Sequence, residues 1–198
     1  MTVSTVYTKE YAAPPLDRRE LMRYLRTDTV SPELEHELER AMAEALPQLS
    51  YRLCYTEFPV SVADGAVDLT FARVPSRDLA KNLAGCTHVA VFAATVGIGL
   101  DRLIARYSSL SPVRALCLQA IGAERIESLC DMFETELCYA TFGGRIHARF
   151  SPGYGDLPLA FQRDIFRLLD CPRRIGLSLN ESLLMSPSKS VTALIGIE

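Results

Sequence analysis

The chain has 198 residues, and 21 Lys and Arg against 24 Asp and Glu give a net charge of −3; with no basic excess to neutralise phosphates, this argues against general nucleic-acid binding. Hydrophobic residues make up 48% and charged residues 23%, which excludes a disordered tail and a fibrous repeat. At this length roughly 70% of the unfolded surface can be buried, so a core needs no cofactor to form.

The amino terminus, MTVSTVYTKE, lacks the basic and apolar regions of a signal peptide, and no stretch reaches the ~18 apolar residues of a membrane span. A cytoplasmic protein with no membrane partner is expected. Asp17 can cap a helix through Arg26, and Ser31-Pro32-Glu33 supplies an N-cap and a first-turn proline for a second helix to about Leu46. From Ser50 the pattern turns extended. Asp64-Gly65 between two alternating runs signals a hairpin, and residues 76–83 read as a short helix. CTHVAVFAATVGIGLDRLIARY predicts a buried strand, a glycine turn at Gly97 to Gly99 and a helix from about Leu100 to Tyr107. A dinucleotide loop fits poorly there, because the third glycine of GxGxxG and the acidic ribose ligand about twenty residues on are missing.

Ser111-Pro112 opens the longest helix, which runs to about Cys138 or Tyr139. At 100° per residue, Val113, Leu116, Cys117, Ala120 and Ile121 share one face, whereas Ile126, Leu129, Cys130, Phe133 and Leu137 share nearly the opposite one. The buried side is therefore expected to change midway. Beyond the change the first face continues as Glu124, Glu127, Asp131 and Glu134, with Gly122 allowing a close approach at the crossover. By spacing alone, that stripe is either a solvated acidic face or an acid poised beside a cationic ligand.

RIHARF, residues 145–150, reads as a strand that delivers the loop SPGYGDLP, after which Asp156 and Pro158 can start a helix ending near Leu169. The tail carries polar turns at NES and PSKS and a final strand over residues 191–197. The six cysteines form no CxxC, and His36, His88 and His147 form no HExxH, so free thiols and no metal site are expected. Helices and strands mix without strict alternation. The expectation is an α+β fold: a single domain over residues 1–198 with a mostly antiparallel curved sheet flanked by helices, one long helix at about 111–139, and a helical amino-terminal part over 1–50.

Arg149-Phe150-Ser151-Pro152-Gly153-Tyr154-Gly155 resembles the RxxPGY segment of the activation domain of vitamin B12-dependent methionine synthase. Residues 179–191, LNESLLMSPSKSV, resemble that domain's LTESxxMxPxxSV segment, in the same order and at a similar separation. AIGAERIESLCD, residues 120–131, is similar to the family's helix bearing a ligand-binding glutamate, which falls on Glu127. The resemblance covers about residues 111–197, and residues 1–50 are divergent.

The resemblance implies a domain that binds S-adenosylmethionine and presents it to a cobalamin held by a separate methyltransferase or methionine synthase chain. Inactive cob(II)alamin, given one electron by flavodoxin, would thereby be remethylated. It implies Arg149 as the clamp on the donor's carboxylate, Glu127 as the acid facing its cations, and Ser151 and Gly153 as main-chain contacts to the adenosine. Tyr154 would be the lid between the two cofactors, acting in catalysis as well as in binding. No histidine lies in the DxHxxG that supplies the family's cobalt ligand, so the cobalamin would belong to the partner, and the domain would contribute proximity more than acid–base chemistry. A second reading keeps the docking on a corrinoid protein and drops donor binding.

Overall fold

The structure, a computed structural model, describes residues 5–27, 29, 31–141 and 145–198. Its first half runs β1 (Tyr7–Tyr11), α1 (Arg18–Leu25), α2 (Pro32–Ala45), β2 (Tyr51–Pro59), β3 (Ser61–Ala63), β4 (Ala66–Asp68), β5 (Arg73–Pro75), α3 (Arg77–Asn82) and β6 (His88–Thr95). Its second half runs α4 (Gly99–Leu110), α5 (Pro112–Ala140), α6 (Gln162–Leu169), α7 (Cys171–Ile175), β7 (Ser178–Leu179), β8 (Met185–Ser186) and β9 (Ser190–Ile197). The predicted caps form. Asp17 accepts from the Arg19 and Glu20 amides at 2.8 and 3.2 Å, Ser31 from Leu34 at 3.3 Å and Ser111 from Arg114 at 3.3 Å; Ser76, which the sequence places only within a short helix, also caps α3 by accepting from Leu79 at 3.0 Å. The Asp64-Gly65 turn joins β3 to β4, with both residues at positive φ.

β1, β2, β6 and β9 form a four-stranded antiparallel sheet in that order. β6 is apolar at nearly every position because both of its faces are covered. Ala90, Phe92 and Ala94 meet Ile126, Leu129 and Phe133 of α5, whereas Val89, Val91 and Ala93 share a second cluster with Ile165 and Leu169 of α6. The first half of α5 packs elsewhere: Cys117, Leu118, Ala120 and Ile121 join Leu21, Leu38 and Leu100 of α1, α2 and α4. The buried side of α5 thus changes midway, as the periodicity predicts. Gly122 sits at the change, where a Cβ would come within 2.3 Å of Leu100 Cδ2 and 2.8 Å of Lys189 Cγ. Val113 and Leu116 depart from the expectation and stand about half exposed, while Leu118 is buried in their place. The helices that cover this half of α5 lie toward Leu118.

Three further expectations change. Residues 145–150 make two isolated antiparallel bridges to β9, Ile146 to Ile197 and Phe150 to Leu194, in place of a regular strand. Asp156 starts no helix of its own. It grips the amino end of α3, accepting from Ser76 Oγ and from the Arg77 and Asp78 amides, while α6 begins at Gln162.

Glu124, placed by periodicity on the acidic stripe, is 1% exposed, beside Arg125 at 2%. The cause is an extended arm that crosses α5 at this level. Arg125 donates to both Glu124 oxygens at 2.5 Å, to the Pro14 carbonyl at 2.6 Å and to the Pro15 carbonyl at 2.9 Å. Glu124 also accepts from the Asp17 amide and from Ser128 Oγ, both at 2.8 Å. Burial opposes the guanidinium charge, yet the hydrogen bond and charge of Glu124 hold the Arg125 pKa above the usual value. Removing one partner strands the other charge in the interior, so Arg125→Ala should cost about 3–5 kcal/mol and lower the melting temperature by on the order of 10 °C. Glu124→Leu/Arg125→Met should lose less than Arg125→Ala alone. Thermal and urea melts of the variants check the pattern.

Candidate functional site

The site is built where residues 145–150 run along β9. Between the two bridges, four residue steps on one side, 146 to 150, face three on the other, 194 to 197. One residue is extra, which makes this a β-bulge. Its consequence is a change of face. Ile146 packs on the side of the sheet covered by α5, as does its partner Ile197, whereas Phe150 and Leu194 pack on the side covered by α6. In an unbroken strand, residues 146 and 150 would share a face and Arg149 would point away from α5. The bulge reverses this and turns Arg149 onto the acidic stripe.

There the guanidinium meets three carboxylates. Arg149 Nη1 donates to Asp131 at 2.8 Å and to Glu134, and Nη2 donates to Glu127. Burial works against its charge, but Asp131 and Glu134 more than offset that and hold its pKa above the usual value. The stripe is therefore not a plain solvated face: the chain itself brings one cation to it. One positive against three negative groups still leaves the site about two charges negative, which favours a cationic ligand.

Arg149, the three acids, Ser151 and Tyr154 line one cleft of about 440 Å³. Gly153 is not among its walls. Its φ of +93° is what the turn demands of a glycine, and a Cβ there would face Leu159 at 3.3 Å. Its amide donates to the Leu157 carbonyl at 2.9 Å, and the Ser151 carbonyl accepts from the Tyr154 amide at 3.0 Å. In this structure Gly153 shapes the turn that carries Tyr154. The Tyr154 ring is 59% exposed and lies edge-on to Phe150, with centroids 6.1 Å apart.

A second cleft of about 620 Å³ shares Asp131 with the first and is walled by Tyr11, Pro14, Pro15 and Asp17 of the arm with Ser128 and Met132 of α5. At its rim Tyr11 donates to Glu136 at 2.6 Å, and Lys9 also binds Glu136. Lys9 first and Tyr11 second hold the Glu136 carboxyl below its usual pKa, while burial and then Glu136 push the Tyr11 hydroxyl up. Sequence reasoning missed this wall. The one local signal was the Pro14-Pro15-Leu16-Asp17 run, since paired prolines ahead of a helix cap stiffen an extended arm.

Among the described residues, no group of three or more His, Cys, Asp or Glu is arranged to hold a metal ion, and no helix is long and apolar enough to cross a membrane. The arrangement suits holding a zwitterionic or cationic ligand along α5. Without Arg149 the three carboxylates would repel one another across the cleft. Arg149→Ala should therefore lose about 1 kcal/mol at low salt, and the deficit should shrink as added salt screens the repulsion. Melting curves from about 0.01 to 1 M salt read this directly, and an equal deficit across that range would contradict it.

The sequence matches the family model of the vitamin B12-dependent methionine synthase activation domain over residues 77–197. No curated protein matches the chain. Among solved structures, the MetH reactivation domain bound to AdoHcy is similar, with a TM-score of 0.68 and 16% identity over 97% of this chain and 78% of that one. At that identity the likeness shows a common fold. The family match spans more than half of the chain and takes in the second half of α5, the bulge and β9, so the protein belongs to the vitamin B12-dependent methionine synthase activation-domain family.

Proposed function

We propose that this chain binds S-adenosylmethionine in the cleft between α5 and residues 148–154 and presents its methyl group to a cobalamin held by a separate methyltransferase or methionine synthase chain. The carrying observation is the meeting of Arg149 with Glu127, Asp131 and Glu134 beside the exposed Tyr154. The donor bears a carboxylate, an ammonium and a sulfonium, so it is cationic overall and matches an excess of acid around one guanidinium. Because three carboxylates share Arg149, Glu127 can turn to the donor's ammonium while Arg149 takes the donor's carboxylate. Ion pairs are exchanged and none is lost. The clefts of about 440 and 620 Å³ on either side of Asp131 fall within the usual range for a small-molecule site. The similar MetH reactivation domain is described with AdoHcy, the donor without its methyl group, which supports the reading.

When bound, the donor supplies a methyl group on a good leaving group. The chain's own residues orient it: Arg149 and Glu127 fix the amino-acid end, Ser151 borders the cleft, Gly153 holds the turn, and Tyr154 stands at the mouth where a partner's cobalamin would approach. The electron that the reactivation requires would come from a separate reductant such as flavodoxin, and the reaction would be cytoplasmic. One observation favours the second reading, a docking module without donor binding: the guanidinium is already satisfied by the chain's own acids.

Calorimetry with S-adenosylmethionine separates the two. Heat with the donor alone is expected, and heat only with a corrinoid partner would support the docking module. Arg149→Ala should weaken donor binding about 10- to 150-fold, with Arg149→Lys intermediate because it cannot make the two-pronged contact. Tyr154→Ala should leave the melting temperature unchanged and slow remethylation of the partner's cobalamin; an unaltered rate would return Tyr154 to a packing role.

A further inference from the structure

We propose that His147 is the positioning residue for Arg149, pinning the β-bulge that turns the guanidinium onto α5. His147 stands two residues before Arg149, and the bulge places the two side chains on opposite faces. The Arg149 side reaches the acids of α5, and the His147 side reaches the end of α3 and the loop after it. There Nδ1 meets the Asn82 carbonyl and lies 3.5 Å from Cys86 Sγ, while Nε2 lies 3.0 Å from Glu198 Oε1. Asn82 fastens the same segment again, donating from Nδ2 to the Ala148 carbonyl at 3.1 Å. The backbone on either side is tied to β9, by the His147 amide to the Gly196 carbonyl at 2.9 Å and the Phe150 amide to the Leu194 carbonyl at 2.8 Å. The extra residue therefore lies between two fixed points, and the imidazole holds the first.

Both ring nitrogens face acceptors, and an imidazole donates from both only when it is protonated. The Asn82 carbonyl first and Glu198 second hold its pKa above the usual value. The groups facing it are that carbonyl from α3, the Cys86 thiol from the following loop and Glu198 from beyond β9. Burial first, and Glu198 second, push the thiol's pKa up, so it stays neutral and Glu198 is the charge the ring meets. The same commitment of Nδ1 to Asn82 leaves Cys86 without a base, so these three side chains make no nucleophilic site. The sign of the pH effect follows. The double pin is complete below the ordinary histidine pKa of about 6.5 and is lost as pH rises through the raised value, when one of the two hydrogen bonds must go.

The inference rests on the proposed function only where it concerns the donor, so its test reads Arg149 first. In the full chain labelled with ¹⁵N, the Arg149 Nε–H resonance and exchange of the amides of residues 147–150 would be followed from about pH 6 to pH 9. In wild type both should titrate together with His147. His147→Asn, whose amide can still donate to Asn82 and makes only that one bond, should hold Arg149 as wild type does at high pH without titrating, and His147→Ala should release it further at every pH. Glu198→Gln should lower the pH at which wild-type behaviour is lost. S-adenosylmethionine affinity should fall about 3- to 10-fold in His147→Ala and recover in His147→Asn only to the wild-type value at high pH; any pH dependence remaining in His147→Asn belongs to the donor's own amine. An Arg149 resonance and amide exchange unmoved in His147→Ala would overturn the proposal, as would a lowered melting temperature as its one effect. No heat with the donor in wild type would defeat the donor reading, and the Arg149 resonance would still decide for or against His147.

Discussion

Glu127, Asp131 and Glu134 lie on one face of α5, and carboxylates at that spacing repel each other by a few tenths of a kcal/mol per pair. The opposite face of the helix packs Ile126, Leu129, Phe133 and Leu137 against the sheet, so the acids stand on the side turned away from that core. A single guanidinium relieves the repulsion, and it arrives from another segment. Arg149 reaches the acids only because residues 146–150 carry one residue more than the stretch of β9 they pair with. The acid stripe, the bulge and the edge of the sheet are thus parts of one electrostatic arrangement.

The same helix solves a second charge problem differently. One turn before Glu127, Glu124 and Arg125 are closed off from water and bound to the main chain of the amino-terminal arm. A buried pair of this kind is expensive to break and suits a permanent joint. The Arg149 cluster is only partly covered, and Asp131 is the most exposed of its acids. Exposed pairs contribute little net stability, so their partners can be exchanged when a charged ligand enters. The buried pair fixes the wall of the groove, and the exposed cluster supplies its adaptable floor.

The loop beyond Arg149 is held by hydrogen bonds and by the burial of Leu157 in the core. Asp156 caps α3, and Ser76 first and the Arg77 amide second keep its carboxyl below the usual pKa. Hydrogen bonds between Ser151 and Tyr154, Tyr154 and Leu157, and Gly153 and Leu157 close the turn upon itself. An exposed tyrosine on such a turn is presented in one place, which costs less entropy on meeting a partner than a ring on a loose loop would.

The sequence by itself determined what depends on neighbours within about one turn or one strand. The caps at Asp17, Ser31 and Ser111, the Asp64-Gly65 hairpin, the buried β6 and the change of face along α5 all follow from local hydrogen bonding and periodicity. The residues around Arg149 and Tyr154 could be singled out because their motif is contiguous. Tertiary structure alone decided what depends on pairing over long distances. The bulge exists only relative to β9, more than forty residues later, and it chose the face on which Arg149 acts. Glu124 became interior because the arm at Pro14 and Pro15 lies over it, and Asp156 became a cap for a helix nearly eighty residues upstream. Val113 and Leu116 kept their place in the helical pattern and lost their cover, since periodicity states which residues share a face but not whether another element lies against it.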